Sequence, residues 1–357
     1  MVQKKKTVLQ PIIRNIALVI FCLALLLLNL INVEAAASGW VNGSPYKLTT
    51  ADGTVIKIET LTNQGDSTLL TVTKSGSTKY ILIDTGVKNA NVADKLVSKG
   101  IAKIDTLIIT HNDGDHINGL KNFPGKVKVS NMYYNYVYSR SNADINSGFD
   151  ALEYVKSIED TVITGKATRI RDAKNHSATT YNVNMESDST AYLRICRGRL
   201  FKLVKASASG GYDLTIIPAI TDSWTSNNNM SMIVVLETAG DKVIFGGDIQ
   251  ANAMQEINQY KTSSNIDYKP ADDYSYYWGI ENLLLYNGKY TVYKVSHHGT
   301  GTHRVIGGLA TSVTAEKNFL NNMKPNALVL TGYGTDVANQ AYFNNIYPTA
   351  MYTSFTK

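Results

Sequence analysis

Residues 107–120 read LIITHNDGDHINGL and place His111, Asp113, Asp115 and His116 within six positions as H-x-D-x-D-H. Imidazole and carboxylate are both ligands for divalent cations. The carboxylate share moves the preference toward harder ions such as Mn, Mg or Fe without excluding Zn. Alternate residues of an extended segment point the same way, so a short loop of this pattern is expected to aim several donors into one pocket. The plainer reading is a polar, Asx-turned loop whose histidines are merely exposed.

Two later segments weigh against that plainer reading. KVIFGGDI brings a strand-like run to Asp248 through two glycines, which let a backbone approach a neighbour closely. YKVSHHGTG brings another to His297 and His298, again beside glycine. These loops hold four of the six histidines in the chain, so coincidence is a poor account of them.

The elements that must position these residues follow from local pattern. VIKIETL, STLLTVT and KYILIDTG read as strands, and KSGSTK between the last two carries a hairpin signal. NVADKLVSKG has Val92, Leu96 and Val97 at helical spacing and stops at Gly100. IDTLIITHNDGDH then begins as a strand, which puts the ligand-rich loop at a strand's carboxyl end, where open α/β sheets collect their sites. Residues 130–210 are polar and weakly periodic, with tyrosines at 133, 134, 136 and 138 and a helical pattern in ALEYVKSIED. They read as an elaboration whose tyrosines sit on a flap, packing there or stacking on bases or sugars. YDLTIIPA, SMIVVLET and KVIFGGDI are again strand-like, NAMQEINQY helical, and YTVYKVSHHGTG and NALVLTGYG strands. No repeat or low-complexity tract is visible.

The amino-terminal segment is of another kind. Lys4, Lys5, Lys6 and Arg14 precede the sixteen-residue apolar run Ile16–Ile31, and VEAAAS offers small residues for cleavage after Ala35 or Ala37. Residues 1–37 are expected to be a secretory signal, with residues 38–357 exported as one domain to the medium or the cell surface. The rival is an uncleaved anchor, although the run is short of the about 20 residues that span a bilayer. Removing residues 1–37 leaves 31 basic against 28 acidic side chains, so the net charge falls from +6 to +3 and argues only weakly for a polyanionic partner. Cys22 departs with the leader, and Cys196 alone cannot form an internal disulfide. With no histidine close by in sequence it reads as a small buried residue.

Taken in order, NQGDSTLL, ILIDTG, THNDGDHING, NNNMSMIVVLE, VIFGGDI, VSHHGTG and MKPNALVLTGYG resemble the metallo-β-lactamase fold superfamily over about residues 55–340, and within it the ComEC-like branch of DNA-uptake hydrolase domains, with long insertions at about 130–210 and 260–285. The resemblance implies an α/β fold, a four-layer αβ/βα sandwich with two divalent ions, Zn or Mn, or else Mg or Fe, at one edge. It assigns His111 and Asp113 to one ion, Asp115, His116 and His298 to the other, and Asp248 to a bridge. His297 becomes a neighbouring or proton-donating group. Many members supply a further histidine four residues before the serine that opens the next strand. Counting back from Ser231 gives Asn227, a weaker donor. Asp84 is expected to orient a ligating histidine. Asp66 and Ser67 are read as structural, His176 as a solvated loop histidine, and His303 as a residue near substrate.

Such a site activates water and stabilises charge on a phosphoryl group, with Asp115 positioning or deprotonating the water. The expected function is therefore a secreted hydrolase of phosphodiesters, nucleic acid included. Two alternatives stay open: hydrolysis of an amide, lactam, lactone or thioester, and a non-catalytic exported module that binds a polymer. A membrane partner is expected only if the leader is retained, and oligomeric state is left open.

Overall fold

The computed structural model describes residues 41–43, 45–50, 52–136, 161–171, 179–182, 192–195, 201–204, 212–217, 228, 231–238, 242–251, 254, 292–299, 309–331, 337–347 and 350–355. The leader, the helical pattern at 151–160, Cys196, His176, Asn227, His303 and the 260–285 segment lie outside these residues.

The first sheet grows from period-two sequence. Val55–Thr60 alternates half-buried and buried residues along its whole length, as a strand with one face in a core must. This strand, β3, pairs antiparallel with β2 (Tyr46–Thr49) and β4 (Thr68–Lys74). The expected hairpin follows: β4 turns through Ser75 and Gly76 into β5 (Ser77–Ile83). Both turn residues have positive φ, 49° and 81°, the geometry that matches the twist of paired strands. Helix α1 (Val92–Ser98) then buries Val92, Ala93 and Leu96. Val97, read with that face, is 46% exposed because it lies five positions from Val92 and off the stripe. From β5 the sheet continues in parallel through β6 (Lys103–Ile109), β7 (Lys128–Tyr136) and β8 (Ile163–Arg171).

The tyrosines expected on a flap are in β7, an interior strand. Tyr133 and Tyr134 are buried on its opposite faces, one in each of two apolar clusters. Burial on both faces erased the alternation by which the strand would have been recognised. Tyr138 lies outside the described residues.

Apart from a separate antiparallel pair, β9 (Thr179–Asn182) with β10 (Tyr192–Ile195), the second sheet has eight strands among the described residues. β11 (Phe201–Val204), β12 (Tyr212–Ile217), β13 (Ile233–Thr238) and β14 (Lys242–Phe245) pair antiparallel. β15 (Val292–Lys294), β16 (Ala327–Val329), β17 (Ala350–Phe355) and β1 (Val41–Gly43) extend it in parallel. Ile56, Ile58, Leu70, Ile81 and Ile108 of the first sheet share one apolar cluster with Val234, Leu236, Val243, Phe245, Val292 and Val329 of the second, which is the core between the sheets. Leu82, Leu107, Ile109 and Met132 point the other way and pack with Val92 and Leu96 of α1. On the far side of the second sheet, Tyr293 meets Phe319 of the helix Leu309–Met323 edge-on, at 5.9 Å between ring centres. The order helix, sheet, sheet, helix is the expected four-layer αβ/βα sandwich.

Candidate metal centre

The parallel strands of both sheets end at one edge, and the chemistry-bearing residues follow their carboxyl ends. β5 is followed by Asp84, β6 by Thr110 and His111, β14 by Gly246, Gly247 and Asp248, and β15 by His297 and His298. His111, His116, Asp248 and His298 are all buried.

The convergence of the H-x-D-x-D-H residues is not that of an extended run. Asp113 is extended, but Gly114–Ile117 forms a helical turn, held by the His116 amide donating to the Asp113 carbonyl at 3.0 Å. Alternation therefore does not relate Asp115 to His116. The turn is placed from outside: the Asp66 amide donates to the Asp115 carbonyl at 3.0 Å and the Thr85 amide to the His116 carbonyl at 2.7 Å.

Asp248 stands at the centre. Its carboxylate lies 3.1 Å from His116 Nε2, 3.8 Å from His111 Nε2, 3.8 Å from His298 Nε2 and 3.9 Å from His297 Nε2. Gly247 makes this placement possible. It sits at φ +55°, and a Cβ there would come within 2.7 Å of Ser231 Cβ. Ser231 Oγ in turn accepts the Asp248 amide at 2.9 Å. Asp113 reaches His111 Nε2 at 3.6 Å, and Asp115 reaches His298 Nε2 at 2.9 Å. His297 and His298 both lie at positive φ, 50° and 56°, a strained backbone of the kind found at ligand-holding sites.

Charge and hydrogen bonding suit a cation. Among the described residues, His111 Nε2, His116 Nε2 and Asp248 Oδ1 are buried with no aligned hydrogen-bond partner, an arrangement that proteins avoid unless something else satisfies the atoms. Burial opposes charge on His116, but the Asp248 and Asp84 carboxylates outweigh it and hold the imidazole well above its ordinary pKa. Burial likewise opposes the Asp248 carboxylate, and His116 and His298 hold it well below the usual range. For Asp115, His298 and His116 overcome burial and bring the carboxyl to about 2. In this arrangement protons supply the positive charge that a divalent ion would replace. Asp66, His116, Asp248 and His298 each place a ligand atom within 4.8 Å of the others, with Asp66 reaching the group from the Nδ1 side of His298.

Two carboxylates stand behind the histidines. Asp84 Oδ2 is 2.8 Å from His116 Nδ1, and both its oxygens accept from Thr110, at 2.7 Å each. Asp66 Oδ1 is 3.1 Å from His298 Nδ1 and accepts the Thr331 hydroxyl at 2.5 Å, while Asp66 Oδ2 pairs with the Lys294 ammonium. Burial pushes that ammonium down to about 7. Asp66 was expected to be structural, and nothing local in NQGDSTLL reveals that it meets a histidine 232 positions away. Asn228 was also missed. Its amide is 3.1 Å from His297 Nε2, next to the position, Asn227, that counting back from Ser231 selects.

These geometries give the chain's resemblance a structural setting. Residues 61–154 match the family model described as Metallo-beta-lactamase superfamily. The matched stretch holds Asp66, Asp84 and the residues from His111 to His116. Among solved structures, the metallo-beta-lactamase fold protein YhfI from Bacillus subtilis is 10% identical, with 83% of this chain and 95% of that one covered and a TM-score of 0.40. Tm1679, described as a metal-dependent hydrolase of the beta-lactamase superfamily, is 12% identical, with 85% and 97% covered and a TM-score of 0.43. The short form of human tRNase Z is 11% identical, with 77% and 91% covered and a TM-score of 0.39. Comparison with curated proteins finds no match.

Proposed function

We propose that the chain is an exported, metal-dependent hydrolase of phosphodiesters, with His111, Asp113, Asp115, His116, Asp248 and His298 holding a pair of divalent cations. The observation that carries this reading is Asp248, buried within 4 Å of four imidazole nitrogens. An acid so placed, with His111 Nε2 and His116 Nε2 unsatisfied around it, fits a bridge between two positive centres better than it fits a core. Divalent ions bound there would polarise a phosphoryl oxygen and acidify water.

The chain's own residues divide the remaining work. Asp115, ionised at neutral pH and partly exposed, is placed to accept a hydrogen bond from the attacking water and orient it. His297 faces the open side with its ring 23% exposed, beside Asn228, where it can deliver a proton to a leaving oxygen. Asn227 is retained as a weak further donor from the sequence. The string of motifs supports the ComEC-like branch, and the leader supports export. Among the described residues no helix is long and apolar enough to cross a membrane.

The test is elemental analysis of purified protein together with hydrolysis of bis(p-nitrophenyl) phosphate and single-stranded DNA, with and without Mn or Zn. Metal near two equivalents and metal-dependent turnover of either phosphodiester are expected. Cleavage of a chromogenic cephalosporin or an acyl-lactone alone would move the chemistry to the carbonyl alternative. No turnover by fully metallated protein would favour a binding module.

A further inference from the structure

Asp66 and Lys294 come from different sheets. Asp66 lies just before β4 of the first sheet, whereas Lys294 ends β15 of the second, where its side chain is 4% exposed. A lysine this deeply buried needs a counter-charge, and Asp66 Oδ2 supplies it. The same carboxylate takes the Thr331 hydroxyl and His298 Nδ1 on Oδ1. Both its oxygens are therefore engaged by donors from three points on the second sheet's edge.

An ionised carboxylate only accepts, so His298 Nδ1 must be the donor in this contact. That choice leaves Nε2 on the side facing Asp115 and Asp248, at 2.9 and 3.8 Å, where a bound cation would take the place of the proton that Nε2 donates to Asp115. The same logic relates Asp84 to His116 within the first sheet, but the Asp66 arrangement spans the two.

We propose that Asp66, Lys294 and Thr331 form a positioning clamp that fixes the ring and tautomer of His298 and so sets how tightly the half-site of His298, Asp115 and His116 holds its cation. The clamp rests on the metal-site reading above and adds to it a role for a buried ion pair outside the ligand set. Lys294 sets the charge of Asp66, Thr331 sets its angle, and Asp66 acts on the metal through His298 without touching it.

The decisive comparison is between the wild type, D66L/K294M and T331V, each assayed for Zn affinity by chelator competition, for the absorption of its cobalt-substituted form, and for thermal unfolding. The double variant removes both buried charges at once, so its unfolding temperature should remain near that of the wild type. Its Zn affinity should fall by roughly 10- to 100-fold, because His298 Nδ1 has lost its acceptor. T331V should fold normally and lose affinity several-fold, which decides the matter if the double variant does not fold. Cobalt bands should keep their wild-type intensity once saturated. Wild-type affinity in the folded variants would overturn the clamp while leaving the metal site standing. A cobalt spectrum reporting a lost ligand would also overturn it, by making Asp66 a direct ligand. Failure of the wild type itself to take up Zn or Mn would instead sink the reading on which the clamp rests.

Discussion

Asp84 Oδ2 and His116 Nδ1 lie 2.8 Å apart, with Nε2 of the same ring 3.1 Å from Asp248 Oδ1. One imidazole thus joins the end of β5 to the end of β14 across the two sheets. The acid that holds the ring is itself held by Thr110, which follows β6. Asp84 occupies positive φ, 59°, which asparagine tolerates better than most residues. Asp84→Asn should therefore fold. Its metal affinity should drop by roughly 10- to 100-fold, as read by competition with a chromogenic chelator. Unchanged affinity would reduce Asp84 to a packing residue.

Removing the centre should be more severe. Asp248→Asn takes the charge from between four imidazoles and should leave less than one equivalent of tightly bound metal, with phosphodiesterase activity at background. Asp115→Ala and His116→Ala should also abolish turnover and lower metal content while circular dichroism keeps its wild-type form. Near-normal turnover in any of the three places the reaction elsewhere.

Metal binding should release protons. His116 is held protonated above its ordinary range by Asp248 and Asp84, so a cation must displace that proton. The sign follows directly: lowering the pH strengthens the competitor, and raising it weakens the competitor until His116 deprotonates without help. Zn or Mn should therefore bind more tightly at pH 8 than at pH 6. Titration calorimetry in two buffers of different ionisation enthalpy should report net proton release. Tighter binding at the lower pH would contradict the electrostatics described for the site.

Gly247→Ala tests the backbone. The substitution puts a Cβ at φ +55° and 2.7 Å from Ser231 Cβ, next to the bond that holds the Asp248 amide. Strain of this kind costs about 1–3 kcal/mol. Urea unfolding should show a loss in that range, accompanied by weaker metal binding as Asp248 moves. Gly100→Ala supplies a control with a different balance: φ is +77°, yet among the described residues nothing lies within 4 Å of the added carbon, so stability should fall with no loss of metal affinity.

Much of the site is legible in local pattern because strands announce themselves by period two and their ends by glycine and turn residues. The β4–β5 hairpin, the strand into His111 and the two-glycine approach to Asp248 were all readable this way. The helix Leu309–Met323 falls outside the pattern read from the sequence, although Ala315, Phe319 and Met323 recur at the spacing of one buried face. Strand β7 reads as a flap because burial on both faces removes the alternation that marks a strand.

By itself, the sequence determined which side chains stand at the ends of which strands, because residue type and periodicity act over a few positions. It could not determine that Asp66 meets His298, that Asn228 meets His297, or which nitrogen of each ring faces inward. Those relations join residues from 69 to 232 positions apart, and they exist only once the sheets pack. Tertiary structure decided them because hydrogen bonds to buried imidazoles depend on distance and angle in space, which local pattern does not encode.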